Sequence, residues 1–381
     1  MATRITLKEF QEVVKNVINS AVIAGKFDEI VKTEGITGLV NKIAEQVTID
    51  GNFADKLPEL DAKELPYGSI IEEWYQGLVP VRDFNAVEGN EADVELSPAF
   101  PDYEEPAYSQ SFDRKYFKTS LTYDQYNAAV KDGAGLAALT NMVVKRLYDS
   151  YAQYRYNCKK ELICKAGDLA LNATQGAVNF ATKTAYTVGT YIFSETDYYI
   201  VRKAIAATNT DSIETLQSNG FVVKYNTITP EWKIPTDEAS CKAFVKELKK
   251  LVETSQFANE GNSLAGNTIG AEEGLILILP NGILPEIETE LYAGAFNKDN
   301  LAIPCKVVRV DSLSNGEGSV SGFPINAVLV DSRAIKLHPQ YVRFGETEVN
   351  GGDYRNLFLH TKQIGYISKF AFLHVWTTDA L

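Results

Sequence analysis

Residues 135–169, GLAALTNMVVKRLYDSYAQYRYNCKKELICKAGDL, decide the fold. Leu136, Leu139, Val143, Leu147, Tyr151, Tyr154, Cys158 and Leu162 recur every three or four residues and form one apolar stripe. That spacing predicts a helix of about 35 residues, roughly 50 Å long at 1.5 Å per residue. No second long heptad run exists to pair with it, so one helix laid on a sheet is expected rather than a coiled coil. Its charges lean positive, with Lys145, Arg146, Arg155, Lys159, Lys160 and Lys165 against Asp149, Glu161 and Asp168.

Ahead of this helix lies an extended, Tyr- and Phe-rich stretch, residues 66–122, with a short helical pattern at 123–131 between them. Residues 69–71, 78–81 and 108–121 read as strands, while Pro98, Pro101 and Pro106 cannot sit inside a central sheet. Between residues 72 and 105 there are ten acidic residues (Glu72, Glu73, Asp83, Glu88, Glu91, Asp93, Glu95, Asp102, Glu104, Glu105) and a single base, Arg82. The returning arm carries Arg114, Lys115 and Lys118. A ribbon this long has unpaired edges and little apolar surface of its own, so it needs a surface to lie on. Another copy of the same chain is the expected surface.

The remaining chain frames these two parts. Residues 1–65 read as a partly helical arm, opened by a capping box at Thr6 and Glu9 and followed by a second helical pattern over 27–46. Residues 238–255 form a clear amphipathic helix. Residues 275–279, LILIL, are a continuous apolar run of the kind found in a strand buried on both faces. Asn281-Gly282 turns the chain, and Pro285 opens a Glu-rich helix start. Strands follow at 305–310 and 326–330, and residues 366–373 alternate on a period of two as a long, antiparallel ribbon. Residues 170–236 carry no legible role beyond a strand at 221–223.

Composition and motifs speak against several function classes. The 381 residues are 45% hydrophobic and 23% charged, as in an ordinary globular chain. A net charge of −13 argues against sequence-independent nucleic-acid binding, which needs clustered Lys and Arg. It is compatible with merely enclosing nucleic acid. Cys158, Cys164, Cys241 and Cys305 form no CxxC pair and there are only three histidines, so the cysteines read as buried hydrophobes and no metal or cofactor is expected. No secretory signal and no membrane-length apolar run are expected, which places the chain in a reducing interior. No nucleophile elbow, P-loop, dinucleotide loop or HExxH appears. Glu72-Glu73 and Glu104-Glu105 are adjacent pairs that a strand would point to opposite faces, so they read as surface charges. His360 and His374 read as packed or exposed side chains rather than ligands.

Three stretches carry a resemblance: Gly68-Ser69-Ile70-Ile71-Glu72-Glu73-Trp74-Tyr75, then Leu277-Ile278-Leu279-Pro280 through Glu288 and Leu291 to Ala295-Phe296-Asn297, and finally Ala327-Val328-Leu329-Val330-Asp331 with the aromatic C-terminal ribbon. Their order resembles the tailed-bacteriophage major capsid protein of the Hong Kong 97-type fold, and within it the phi-29-like short-tailed phages. The resemblance covers residues 60–165 and 237–377, and residues 170–236 lie outside it. It implies an α+β fold with an N-terminal arm (1–65), an E-loop hairpin (66–122), a P-domain spine helix (123–170), an A-domain (171–345) and C-terminal P-domain strands (346–381). It also implies a non-enzymatic virion protein that assembles in the bacterial host cytoplasm. Pentamers and hexamers would form an icosahedral or prolate shell enclosing packaged dsDNA, with a scaffolding protein and a portal as partners and no membrane. No Lys–Asn crosslinking constellation of the founding member matches, so the shell is expected to be non-covalent. An encapsulin-type compartment is the alternative, and an enzyme with an unrecognised site the more distant one.

The same reading yields candidate subunit contacts. In the family the E-loop lies across the neighbouring P-domain. Glu88, Glu91, Asp93 and Glu95 are therefore expected to face the basic side of a neighbour's helix around Lys145, Arg146, Arg155 and Lys159. Arg114 on the returning arm joins this set, with apolar burial from Phe84, Phe100, Tyr103, Tyr108, Phe112, Tyr116 and Phe117. Exposed ion pairs add only ~0–1 kcal/mol each, so charge sets register and apolar burial supplies strength.

Overall fold

The computed structural model describes residues 55, 57–73, 75–76, 103–104, 108–122, 133–195, 197–257, 259–265, 267–268, 270, 274–285, 287–288, 303–313, 325–349, 351–352 and 354–378. The helical patterns over 6–18, 27–46 and 123–131, the strand at 78–81 and the acidic residues Glu88, Glu91, Asp93 and Glu95 lie outside them.

In chain order the labelled elements begin with β1 (Tyr108–Ser111), β2 (Lys115–Thr122) and helix α1 (Gly133–Gln175). Next come β3 (Val178–Asn179), β4 (Tyr191–Ser194), β5 (Asp197–Val201), α2 (Ile213–Ser218), β6 (Val222–Lys224), β7 (Ile228–Thr229) and α3 (Glu238–Ser255). The chain then forms β8 (Leu275–Pro280), β9 (Lys306–Val310), β10 (Ile325–Asp331), β11 (Ile335–Val349), β12 (Tyr354–Ile367) and β13 (Leu373–Thr377).

Helix α1 is the spine, 43 residues long. It outruns the predicted span because Ala170 and Leu171 remain buried after the heptad-like stripe ends. Thr174 returns its hydroxyl to the Leu171 carbonyl, and the Gly176 amide closes the last turn on Asn172.

Two sheets lie along this spine. The first has the order β11-β12-β1, with β2 also on β12. β11 and β12 form a long antiparallel hairpin whose register shifts at Pro339, which has no amide proton for the ladder. β1 and β2 pair with consecutive stretches of β12, so the predicted strand at 108–121 is one strand interrupted at 112–114. Val143, Leu147 and Tyr151 of α1 pack on Leu121, Leu357 and Leu359. At Gly365 the helix comes so close that a Cβ would overlap Leu162.

The second sheet has the order β9-β8-β10-β13-β7. Its centre explains the apolar run at 275–279. Ile276 and Ile278 face the C-terminal half of α1 with Val308, Val328, Val330 and Val375. Leu277 and Leu279 face Phe244 and Leu248 of α3 with Leu329 and Trp376. Both faces are therefore covered by helix. α3 starts at Asp237, which accepts from the Ser240 amide at 2.7 Å and closes a capping box.

Residues 178–224, which carried no role in sequence, form a small sheet β3-β4-β5-β6 with α2, around Ile192, Val201, Leu216 and Val222. Two expectations are corrected. Residues 69–71 form no strand, and Ile70 is 78% exposed. Residues 366–373 are not one ribbon: β12 ends at Ile367, the chain turns, and β13 enters the other sheet.

Candidate subunit interface

Lys159 has no solvent exposure, a state that requires full pairing of its charge. Its ammonium donates to the Asp55 carboxylate and to the Leu57 carbonyl at 2.9 Å, and it forms an ion pair with Asp61 at 2.6 Å. Arg155 reaches Asp61 at 2.5 Å. These partners belong to a strap, residues 55–70, that runs beside β11. The Ala62 amide bonds Leu337, the Leu65 amide bonds Pro339, and Gln340 bonds the Ser69 carbonyl at 3.0 Å. Leu57 and Leu60, each 1% exposed, anchor the strap in the core. Arg155 and Lys159 were expected to receive a neighbour's acidic loop, but carboxylates of their own chain already hold them. Phe112 is likewise buried inside the subunit, and Phe117 packs edge-on against Tyr154 of α1.

Other expected contacts face outward. Arg146 is exposed and Lys145 half-buried on α1. Arg114 and Tyr116 sit on the sheet face opposite α1. Leu357, Leu359 and Gly365 point toward the helix, so Phe358, His360 and Lys362 point away from it. Strand pairing places Lys118 beside Phe358, Tyr116 beside His360 beside Arg343, and Lys362 beside Tyr341.

Aromatic rings and cations alternate on this face. Arg114 lies 4.8 Å over the Tyr341 ring, and Lys362 lies 4.6 Å over Tyr67, which is itself 6.1 Å from Tyr341. Tyr116, 61% exposed, stands 6.0 Å from Phe358 and 5.9 Å from His360. No acidic side chain stands in these rows. On a chain of net charge −13, this is a concentrated basic and aromatic surface.

The interior holds little that resembles a reactive centre. Burial pushes the Cys158 and Cys305 thiols up to about 12 and Cys164 up to about 11, far from a reactive thiolate. Burial likewise pulls His374 down to about 4. Among the described residues, no group of three or more His, Cys, Asp or Glu is placed to hold a metal ion, and no helix is long and apolar enough to cross a membrane. An open groove of about 830 Å³ lies between the strap, α1 and β9, and it holds the ion pairs of Lys306 with Glu59 and of Asp311 with Lys160.

A long helix spanning two sheets, with a strap laid along one of them, is the frame of a shell-forming subunit. The fold is similar to that of a chain in the capsid structure of Staphylococcus phage Andhra, with TM-score 0.50, 9% identity and coverage of 87% of this chain and 84% of that one. It recurs in a chain of the structure of head fiber and inner core protein gp22 of native bacteriophage P68, with TM-score 0.51, 11% identity and coverage of 86% and 85%. At such identities the likeness concerns the fold, which is that of a Hong Kong 97-type phage capsid subunit. No curated protein matches the chain in sequence. The chain belongs to the Phi29-like phage major capsid protein family, whose model matches residues 3–377. Its place is the virion capsid, and its family is one of structural proteins rather than enzymes.

Proposed function

We propose that copies of this chain assemble into pentamers and hexamers that close an icosahedral or prolate head around packaged dsDNA, with a scaffolding protein and a portal as partners and no catalytic step. The observation that carries this reading is the cation and aromatic face of the first sheet, set against an acidic segment in the same chain. Glu88, Glu91, Asp93 and Glu95 of one copy meet basic residues of the next. Arg155 and Lys159 are occupied in cis, so Arg114, Arg343 and Lys362 with Tyr116 on the sheet face, and Lys145 with Arg146 on α1, are the candidate receivers. Charge fixes the register, and the rings supply apolar contact around it. The negative net charge suits a container that encloses DNA without gripping its phosphates.

The test is electron microscopy and size exclusion of the chain expressed alone and with its scaffold. Closed particles hundreds of Å across are expected; a discrete small oligomer would overturn the reading. Arg114→Glu with Lys362→Glu should abolish particles while leaving a folded subunit if the sheet face receives the segment. Lys145→Glu with Arg146→Glu should do so if the helix does. Normal particles from both variants would refute charge docking.

A further inference from the structure

Glu73 was grouped with Glu72 as a surface charge, and the structure gives it a different position. Two short crossovers connect the sheets, residues 332–334 between β10 and β11 and residues 368–372 between β12 and β13. They lie side by side: the Ser368 amide donates to the Ala334 carbonyl at 2.7 Å, and the Tyr366 hydroxyl donates to the Arg333 carbonyl at 3.3 Å. Ser368 is 3% exposed. Its hydroxyl oxygen accepts from the amides of Phe370 at 3.2 Å and Ala371 at 3.0 Å, so its one proton must go elsewhere. That proton goes to one Glu73 oxygen, while the other Glu73 oxygen accepts from the Lys369 amide at 3.1 Å. A single carboxylate thus completes the bonding of the turn that joins the two sheets, through charge-assisted bonds.

The chain position of Glu73 gives this contact its meaning. It stands at the root of the acidic segment, directly before residues 74–107, and 295 residues from Ser368 in sequence. Glu72 beside it is exposed. We propose that Glu73 is a positioning residue that couples the acidic segment to the crossover. When a neighbouring subunit holds the segment, residues 71–73 are held with it, and the 368–371 turn is fixed through Glu73. Assembly then tightens a relation between the two sheets that Glu73 already sets within the subunit. This goes beyond the assembly reading but relies on it for the engaged state.

Hydrogen exchange at the amides of Lys369, Phe370 and Ala371 tests the coupling, in unassembled subunits and in particles. In the unassembled subunit, Glu73→Ala should speed exchange at these amides about tenfold, the loss expected for one charge-assisted hydrogen bond. Assembly should slow these amides in the wild type and leave them largely unchanged in Glu73→Ala, read in particles co-assembled with excess wild-type chain. Glu73→Gln, which keeps one acceptor oxygen for Ser368, should fall between the two. Unchanged exchange in the free Glu73→Ala subunit would overturn the proposal, as would equal slowing on assembly with and without Glu73. Failure of the wild-type chain to assemble would strike the assembly reading instead, and the free-subunit comparison would still decide whether Glu73 holds the turn.

Discussion

Lys159 shows how a single residue ties the arm to the body. Its ammonium bonds Asp55 and the Leu57 carbonyl and pairs with Asp61, and Asp55 and Asp61 keep 23% and 32% of their side-chain exposure. Lys159→Met would leave these carboxylates over an apolar floor. Their partial exposure reduces the usual penalty for a broken buried pair, so a loss of about 2–3 kcal/mol is expected. Urea denaturation of the subunit measures it, and a change under about 0.5 kcal/mol would show that the strap is held by Leu57 and Leu60 instead. His374 offers a pH test. Its Nδ1 faces the Asn226 carbonyl at 2.9 Å, Nε2 faces the Thr229 hydroxyl at 2.9 Å, and Glu247 bonds that same hydroxyl. Burial lowers its pKa from 6.5 to about 4, so the unfolded chain takes up a proton that the folded chain refuses. The stability due to neutral His374 is complete above about pH 6.5 and falls as the pH drops toward 4, by roughly 3 kcal/mol at the lower end. His374→Gln should flatten the fall in denaturation midpoint between pH 7 and 4.5, and an unchanged slope would contradict it. Neither role was legible in sequence. Lys159 reads there as one more basic residue on a helix, because its partners are far away along the chain. Three of the four cysteines were legible as buried thiols, Cys158, Cys164 and Cys241, while Cys305 is half-buried.

At the scale of elements, period and length were enough where an element is covered in a simple way. α1 and α3 show one apolar stripe each, and β8 shows the unbroken apolar run of a strand between two helices. Legibility failed where neighbouring residues pack against different partners. Residues 366–373 alternate smoothly, yet Ile367 belongs to one sheet and Leu373 to the other, and only the Ser368 turn between them marks the change. The small sheet at 178–224 has strands of two to five residues, too short for a period to register. The strap has no period because it is anchored by Leu57 and Leu60 and otherwise held by ion pairs to α1 and backbone bonds to β11. The close approach of α1 to β12 gives the test at this scale. Gly365→Ala would place a methyl against Leu162, an overpacking that costs about 1–3 kcal/mol. Leu162→Ala alone leaves a cavity and costs about 2–5 kcal/mol. The double variant should be more stable than the sum of the two losses, read as a coupling energy in denaturation. Strict additivity would mean that the helix simply shifts away from the sheet.

For the whole molecule, the reading rests on a division of charge. The body presents Arg114, Lys118, Arg343 and Lys362 among rings on one sheet face, while ten of the acidic residues fall between positions 72 and 105. The spine and the sheet strands at 275–279, 305–310 and 326–330 were legible because each differs in period and composition from what flanks it. The receiving face was not, because it draws on the strap, the returning arm and both strands of the hairpin, which only the fold brings together. The family match and the capsid neighbours make this chain a shell subunit. Cryo-electron microscopy of assembled particles tests how one subunit holds the next most directly, by tracing residues 77–102 from a chosen subunit. The account predicts that Glu88, Glu91, Asp93 and Glu95 lie on the basic surface of an adjacent copy. Finding that stretch folded back on the sheet of its own chain would contradict it.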